Sequence, residues 1–143
     1  MDCDSLIILQ NVDQYYLTGT LQTGVLWFPR EGEPLVAVRK SFERAKIESA
    51  VKNIVPLKTY SELPALIPNP GDTVGFELDI LPVATYQQVS KHFSKSKIVD
   101  GSMPVRYARA VKTPYEIECI RRAAKQLDVM FLDIPKQLHD GMA

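Results

Sequence analysis

Apolar runs separated by polar turns divide the first hundred residues into short segments that predict a sheet. Residues 6–9 form a continuous apolar run, which is typical of a strand covered on both faces. Residues 25–28 and 35–38 are rich in β-forming side chains and flank a short loop that contains glycine and proline, a hairpin pattern. Three further short runs predict strands, at residues 54–57, 74–78 and 97–100.

Short helices are predicted between these strands. Residues 42–51 follow Ser41, a residue type that caps helix N-termini, and two more helices are predicted at residues 61–67 and after Pro82. Residues 10–13 are polar and predict a turn. The alternation of strands and helices indicates an α/β domain.

The clearest local pattern is a long helix at the end of the chain. Thr113 and Glu116, with a proline between them, form a capping box. The apolar residues that follow repeat on one helical face: Ile117, Ile120, Ala124, Leu127 and Phe131. Pro135 is expected to end or kink the helix, and Gly141 to close a short turn after it. The pattern leaves open whether the apolar face packs on its own domain or begins a second one.

The composition is that of a globular protein. The chain has 143 residues, of which 45% are apolar and 24% charged, and 17 basic residues balance 17 acidic ones. Zero formal charge argues against a nucleic-acid surface, which needs a clustered excess of Lys and Arg. No apolar run approaches the ~20 residues of a membrane-spanning helix, and the acidic start is unlike a signal peptide. We therefore expect a cytoplasmic protein without a nucleic-acid or membrane partner.

Residue patterns that carry enzyme chemistry are missing from the sequence. The two histidines, His92 and His139, form no HExxH pair and are interpreted as solvated. Cys3 and Cys119 are interpreted as idle thiols rather than as a disulfide or as ligands. No GxSxG elbow or glycine-rich phosphate loop is present, although spacing alone does not test for a triad assembled in space. We assign no catalytic residue and no metal ligand to this chain.

A few side chains could contact a ligand. Trp27, Tyr15 and Tyr16 could stack on one, but in β-rich segments such residues are more often core or cross-strand partners. Arg39 directly follows a predicted strand and is the candidate substrate-facing charge, weighed against a merely solvated arginine.

Two stretches of the chain carry a family resemblance. The first combines DSLII at residues 4–8 with Asn11 and YLTG at residues 16–19. The second is RAVKTPYEIE at residues 109–118, followed by RAA at residues 122–124. In this order and separation they resemble the N-terminal domain of the creatinase, prolidase and Xaa-Pro aminopeptidase family, the two-domain pita-bread metallopeptidases. The resemblance covers nearly the whole chain.

The resemblance implies a fold and a division of the chain. The fold is α/β, a mixed, mostly parallel sheet of about five to six strands with helices on both faces, related to the ribonuclease H-like motif. Residues 1–112 would form the N-terminal domain, and residues 113–143 a linker helix and the start of a catalytic domain. Residues 138–142 are similar to the family segment that continues into that domain, from which Ala143 departs. We therefore expect a fragment of a longer protein.

The resemblance also implies the chemistry of the whole protein. In the family, five metal ligands lie beyond the stretch that this chain matches. They would hold two divalent ions, Mn, Co or Zn, which activate a water that attacks the carbonyl group preceding proline. This chain alone is therefore expected to be inactive, whereas the whole protein would hydrolyse Xaa-Pro bonds.

The implied role of this domain is to cover the mouth of the active site. A homo-oligomer, expected as a dimer, and short proline-containing peptides are the partners that follow from the resemblance. Tyr16 and Arg39 are interpreted as substrate-binding residues near that mouth, because both are expected at strand ends. The alternative is a peptide- or partner-binding module, or part of a creatinase-like amidinohydrolase.

Overall fold

A computed structural model of the chain describes residues 2–141, and the predictions for residues 142 and 143 lie outside the described part. The chain divides into two compact units, Met1–Ala108 and Arg109–Ala143. The predicted domain boundary at residue 112 stays a prediction.

The first unit is built on a single sheet. Within the described residues its strands are β1 (Ser5–Ile8), β2 (Gly24–Pro29), β3 (Leu35–Val38), β4 (Ile54–Pro56), β5 (Thr73–Phe76) and β6 (Lys97–Asp100). Their order across the sheet is β4-β3-β2-β1-β5-β6. Strand β2 is antiparallel to β1 and β3, and the other three neighbouring pairs are parallel. The predicted mixed, mostly parallel sheet is confirmed, as is the hairpin of β2 and β3.

Helices connect the strands and cover both faces of this sheet. They are α1 (Asn11–Thr18), α2 (Phe42–Glu48), α3 (Leu63–Leu66), α4 (Val83–Ser90) and α5 (Ser102–Ala110), with 3₁₀ turns at Tyr60–Glu62 and Lys91–Phe93. Successive residues of a strand point to opposite faces. Ile7 therefore packs with Val89 of α4 in one core layer, and Ile8 packs with Ala45 of α2 and Val105 of α5 in the other.

Strand β2 begins at a glycine because its neighbour leaves no room for a side chain. A Cβ added to Gly24 would lie 2.3 Å from the carbonyl oxygen of Ala37 on β3. The close approach of these two backbones therefore requires glycine at this position.

Residues 10–19 fold differently from the prediction. The turn predicted at residues 10–13 and the β-rich segment predicted around Tyr15 and Tyr16 are wrong, because α1 occupies this stretch. Gly19 has a positive φ of +81°, and its N–H donates to the carbonyl oxygen of Tyr15 at 2.8 Å. It therefore ends a helix in the manner of a glycine C-cap.

Helix α2 is shorter than the predicted helix over residues 42–51 and lacks the predicted cap. Ser41 has a φ of +56°, and its side chain makes no capping hydrogen bond. The helix ends at Glu48 because the chain turns to join the end of α1. There the Ser49 hydroxyl and the Ala50 N–H both donate to the carbonyl oxygen of Thr18.

The second unit contains one long helix, α6 (Pro114–Gln137), in its described part. The predicted capping box is confirmed, because the Thr113 hydroxyl accepts from the N–H of Glu116 and the Glu116 carboxylate accepts from the N–H of Thr113. Pro135 does not end the helix, which continues to Gln137, and the alternative that Pro135 kinks the helix stays a prediction. Proline removes one N–H donor close to the helix end, and the N–H of Leu138 still donates to Ile134.

None of the helices within residues 2–141 has both the length and the apolar character that crossing a bilayer needs.

Candidate functional site

The strands end together along one side of the sheet, which we call the carboxyl-end edge. Strands β1, β3, β4, β5 and β6 all point toward it, because β2 alone runs in the opposite direction. The residues that directly follow these strands are Leu9, Arg39, Leu57, Glu77 and Gly101. In open α/β sheets, ligands bind outside the carboxyl ends of the strands. A binding site is therefore expected at this edge of the sheet.

A cleft of about 330 Å³ opens at the carboxyl-end edge. The start of α1, the start of β2, the 3₁₀ turn after β4 and the start of α4 contribute its walls. Its lining includes uncharged polar and apolar side chains, among them Gln10, Asn11, Tyr60, Ile80, Leu81 and Thr85. The volume of this cleft is within the range of small-molecule sites.

Arg39 lies beside this cleft. Its guanidinium lies over the ring of Tyr60, 5.0 Å from the ring centroid, in a cation–π contact. The backbone N–H of Arg39 donates to the carbonyl oxygen of Thr23 at 2.8 Å. Thr23 and Tyr60 both line the cleft. The predicted position of Arg39 just after a strand is confirmed, and its role toward substrate stays a prediction.

Tyr16 lies elsewhere. It is in α1 rather than at a strand end, and it is outside the set of described residues that line the cleft. Its hydroxyl donates to the carbonyl oxygen of Ala108 in α5 at 3.1 Å. The strand-end argument for Tyr16 is therefore wrong, and its substrate-binding role stays a prediction without that support. Trp27 lies in β2 and packs against a core layer, as expected of a β-strand aromatic.

A buried carboxyl pair lies at the same edge. Glu77 is 2% exposed and Asp13 is 5% exposed. The Glu77 Oε2 atom accepts hydrogen bonds from the N–H groups of Leu9 at 3.0 Å and Gln10 at 3.2 Å. Its Oε1 atom is buried and has no hydrogen-bond partner among the described residues. The Glu77 carboxyl group also forms a hydrogen bond with the Asp13 carboxyl group, which requires that one of the two be protonated.

The pair holds a proton at unusually high pH. Burial, together with hydrogen bonding and negative charge from Asp13, raises the pKa of Glu77 to about 7, against the lowering effect of the two N–H groups. When two carboxyl groups are buried next to each other, ionisation of both costs free energy, because two negative charges then lie close together in a poorly solvated site. The start of α1, whose residues line the cleft, is thereby joined to a group that titrates near neutral pH.

A buried amide fixes the same helix to the sheet. The Gln14 Nε2 atom donates to the carbonyl oxygen of Ile8 at 2.8 Å and to that of Gly24 at 2.9 Å. Neither Gln14 nor Glu77 was predicted from the sequence as a site residue. Glu77 lies inside the strand predicted at residues 74–78, whereas β5 ends at Phe76 and places Glu77 at the carboxyl end of the strand. Its only signal in the sequence was an acidic residue within an otherwise apolar run.

The residues described here do not fit the two-metal centre that the resemblance implies for the whole protein. Within residues 2–141, no three His, Cys, Asp or Glu side chains lie close enough together to hold a metal ion. Asp13 and Glu77 supply only two carboxyl groups, and one oxygen of Glu77 is already bonded to two N–H groups. Structural and catalytic metal sites usually need at least three protein ligands.

Comparison with known proteins identifies one family model, described as "Creatinase/Prolidase N-terminal domain", which matches residues 1–111. A search of curated proteins gave no match. Among solved structures, the X-Pro aminopeptidase from Thermotoga maritima MSB8 superposes with a TM-score of 0.80 at 20% identity, over 99% of this chain and 43% of that one. The prolidase from Pyrococcus furiosus gives 0.82 at 24% identity, over 98% and 44%.

A further similar structure is the N-terminal domain of the cytoplasmic peptidase PepQ from Mycobacterium tuberculosis H37Rv. It has a TM-score of 0.63 at 18% identity, over 73% of this chain and 86% of that one. At these identities the likeness establishes the fold. The chain spans less than half the length of the two full-length peptidases.

Proposed function

The chain belongs to the Creatinase/Prolidase N-terminal domain family, and we propose that it is the noncatalytic N-terminal domain of a metallopeptidase that cleaves Xaa-Pro bonds. The observation that carries the proposal is the match of 99% of this chain to 43% of the X-Pro aminopeptidase structure from Thermotoga maritima MSB8. The remaining part of the whole protein would hold the two divalent ions, Mn, Co or Zn. The domain would act in the cytoplasm, help two subunits associate and control access of short proline-containing peptides.

The cleft at the carboxyl-end edge is the part of this domain that we assign to the substrate. Arg39 carries a fixed positive charge that attracts the C-terminal carboxylate of an Xaa-Pro dipeptide. The Tyr60 ring under that guanidinium offers an apolar surface for the proline ring. Exposed Ile80, at 51% accessibility, extends the apolar rim of the cleft.

Kinetics of the whole protein test this assignment. With Mn²⁺ present, Arg39→Gln should raise KM for an Xaa-Pro dipeptide by about tenfold and change kcat little, because a hydrogen-bonded charge contributes about 1.5–3 kcal/mol to binding. Lys40→Gln, at the exposed neighbouring position, removes the same charge and serves as the control. Equal KM values for the two variants would contradict the role of Arg39.

Activity measurements test the wider proposal. The 143-residue chain alone should not hydrolyse an Xaa-Pro dipeptide, and turnover by it would contradict the assignment of catalysis to the rest of the protein. A whole protein that binds proline peptides without cleaving them would favour a peptide-binding module instead. A whole protein that hydrolyses creatine would favour the amidinohydrolase.

A further inference from the structure

A second and larger cleft opens at the opposite edge of the sheet, where β5 and β6 begin. Its volume is about 610 Å³, and we call it the amino-end cleft. One wall is apolar and includes Pro64, Ile67 and Pro68. The other wall lies between α4 and β6 and carries Lys91 and Lys95 together with His92. The function proposed above makes no use of this cleft.

The loops around the amino-end cleft are held together by their own hydrogen bonds. The Ser96 hydroxyl donates to the carbonyl oxygen of Gly71 at 2.6 Å, and the N–H of Lys97 donates to that of Asp72 at 2.7 Å. These bonds join the loop before β5 to the loop before β6. The cleft is therefore formed in the absence of a ligand, which lowers the cost of binding one.

Positive charge is concentrated at this cleft in a chain that is neutral overall. Residues 80–99 contain three lysines and His92 but no Asp or Glu. Asp72 is the acidic residue among those that line the cleft. Nearby Asp4 already accepts from the N–H of Thr73 at 2.8 Å. Two lysines therefore line the cleft together with a single acidic residue.

The pKa of His92 is lowered by its surroundings at this wall of the cleft. Partial burial lowers the pKa of its imidazole, and the positive charge of Lys91 lowers it further. Positive groups thus lie close enough to disfavour one another. An anion placed between them would relieve that repulsion and gain hydrogen bonds from the ammonium groups.

We propose that the amino-end cleft binds a small organic anion, with its phosphate or carboxylate group at Lys91, His92 and Lys95. Its apolar part would lie against Pro64 and Pro68, which are exposed on the apolar wall. The cleft volume is within the range of small-molecule sites and exceeds what an inorganic anion fills.

Titration of the His92 ring by NMR tests the proposal on the 143-residue chain. Inorganic phosphate should raise the pKa of His92 by about half a unit or more relative to sodium chloride at equal ionic strength, because a nearby anion favours the imidazolium. Acetate is the second probe, and it shows whether the site also accepts carboxylates. His139, in the other unit, supplies the reference for a general salt effect on histidine signals.

The double variant Lys91→Gln/Lys95→Gln should lose the phosphate-dependent change. Before phosphate is added, the pKa of His92 should be higher in this double variant than in the unmodified chain, because the positive charge of Lys91 has been removed. The control is Lys40→Gln/Lys52→Gln, which removes two exposed lysines that do not line the cleft. A change of the same size in both double variants would overturn the proposal, as would the absence of any change with phosphate and acetate.

Discussion

The Oε2 atom of Glu77 accepts a hydrogen bond from the N–H of Leu9 at 3.0 Å, which joins the carboxyl end of β5 to the carboxyl end of β1. The same oxygen accepts from the N–H of Gln10, directly before α1. Asp13, one turn into α1, lies against this carboxyl group and raises its pKa. One buried side chain therefore connects two neighbouring strands to the start of the helix that lines the cleft.

Stability should fall as pH rises through the titration of Glu77. The folded chain raises the pKa of this group from its ordinary value of 4.5 to about 7. Between these values the folded state binds more protons than the unfolded state, so the free energy of unfolding decreases with pH. The expected loss is about 3 kcal/mol, fully present above about pH 7. Urea unfolding at about pH 5 and about pH 8 measures it.

Glu77→Gln isolates this effect. The amide oxygen can still accept from Leu9 and Gln10, and the NH₂ group can donate to Asp13. This variant should be more stable than the unmodified chain by about 1–3 kcal/mol at about pH 8, with a flatter pH profile. Glu31→Gln, at an exposed loop position, is the matched control and should keep the original profile. An unchanged slope in Glu77→Gln would contradict the assignment of the titration to Glu77.

Removing the Gln14 amide should destabilise the first unit. Gln14→Met fills a similar volume but leaves the carbonyl oxygens of Ile8 and Gly24 without the donor that each now has. Each buried group that loses its donor costs about 1–3 kcal/mol, so a total loss of about 2–6 kcal/mol is expected in urea unfolding. Gln87→Met, at an exposed position of α4, should change the free energy of unfolding by less than about 0.5 kcal/mol. Equal effects of the two substitutions would show that the Gln14 bonds contribute nothing net.

The strands could be predicted from the sequence, whereas α1 could not. Apolar runs identify strands because burial on a sheet selects apolar side chains at regular positions. Helix α1 instead buries Asp13, Gln14 and Thr18, which are polar. A polar run normally indicates exposure. Gln14 donates to carbonyl oxygens at the ends of β1 and β2, and Asp13 lies against Glu77 after β5, whereas the Thr18 hydroxyl donates to Gln14 within α1. Their burial depends on tertiary contacts that no local pattern contains.

The sequence predicted a residue of the candidate site only where its position follows from the local pattern, without knowledge of which strands pair. Arg39 was found because a residue that follows a strand lies at the carboxyl-end edge of a parallel sheet. Its neighbour Tyr60 was missed, because contact between them depends on the parallel pairing of β3 with β4. The Asp13–Glu77 pair depends likewise on β1 pairing with β5. Tyr16 was misplaced because its helix was not predicted.

The Thr113 cap should control how firmly α6 begins. Thr113→Ala removes the hydroxyl that accepts from the N–H of Glu116, a loss of about 1 kcal/mol for an N-cap. Amide hydrogen exchange in the first turn of α6 should become about fivefold faster. Thr113→Ser keeps the capping oxygen and should restore slow exchange. If the serine and alanine variants exchange equally fast, the hydroxyl is not the stabilising group.

The apolar face of α6 should promote self-association of the 143-residue chain. Its members are all exposed, with accessibilities of 38% for Ile117, 53% for Ile120, 52% for Leu127 and 68% for Phe131. Pairing of this face between two copies would remove apolar surface from water, at about 25 cal/mol per Å². Sedimentation velocity over a range of concentrations should therefore show a monomer–dimer equilibrium. Leu127→Lys should shift it toward monomer, whereas Gln126→Lys, which adds the same charge off this face, should not. A chain that stays monomeric at all concentrations, or two lysine variants that behave alike, would contradict association through this face.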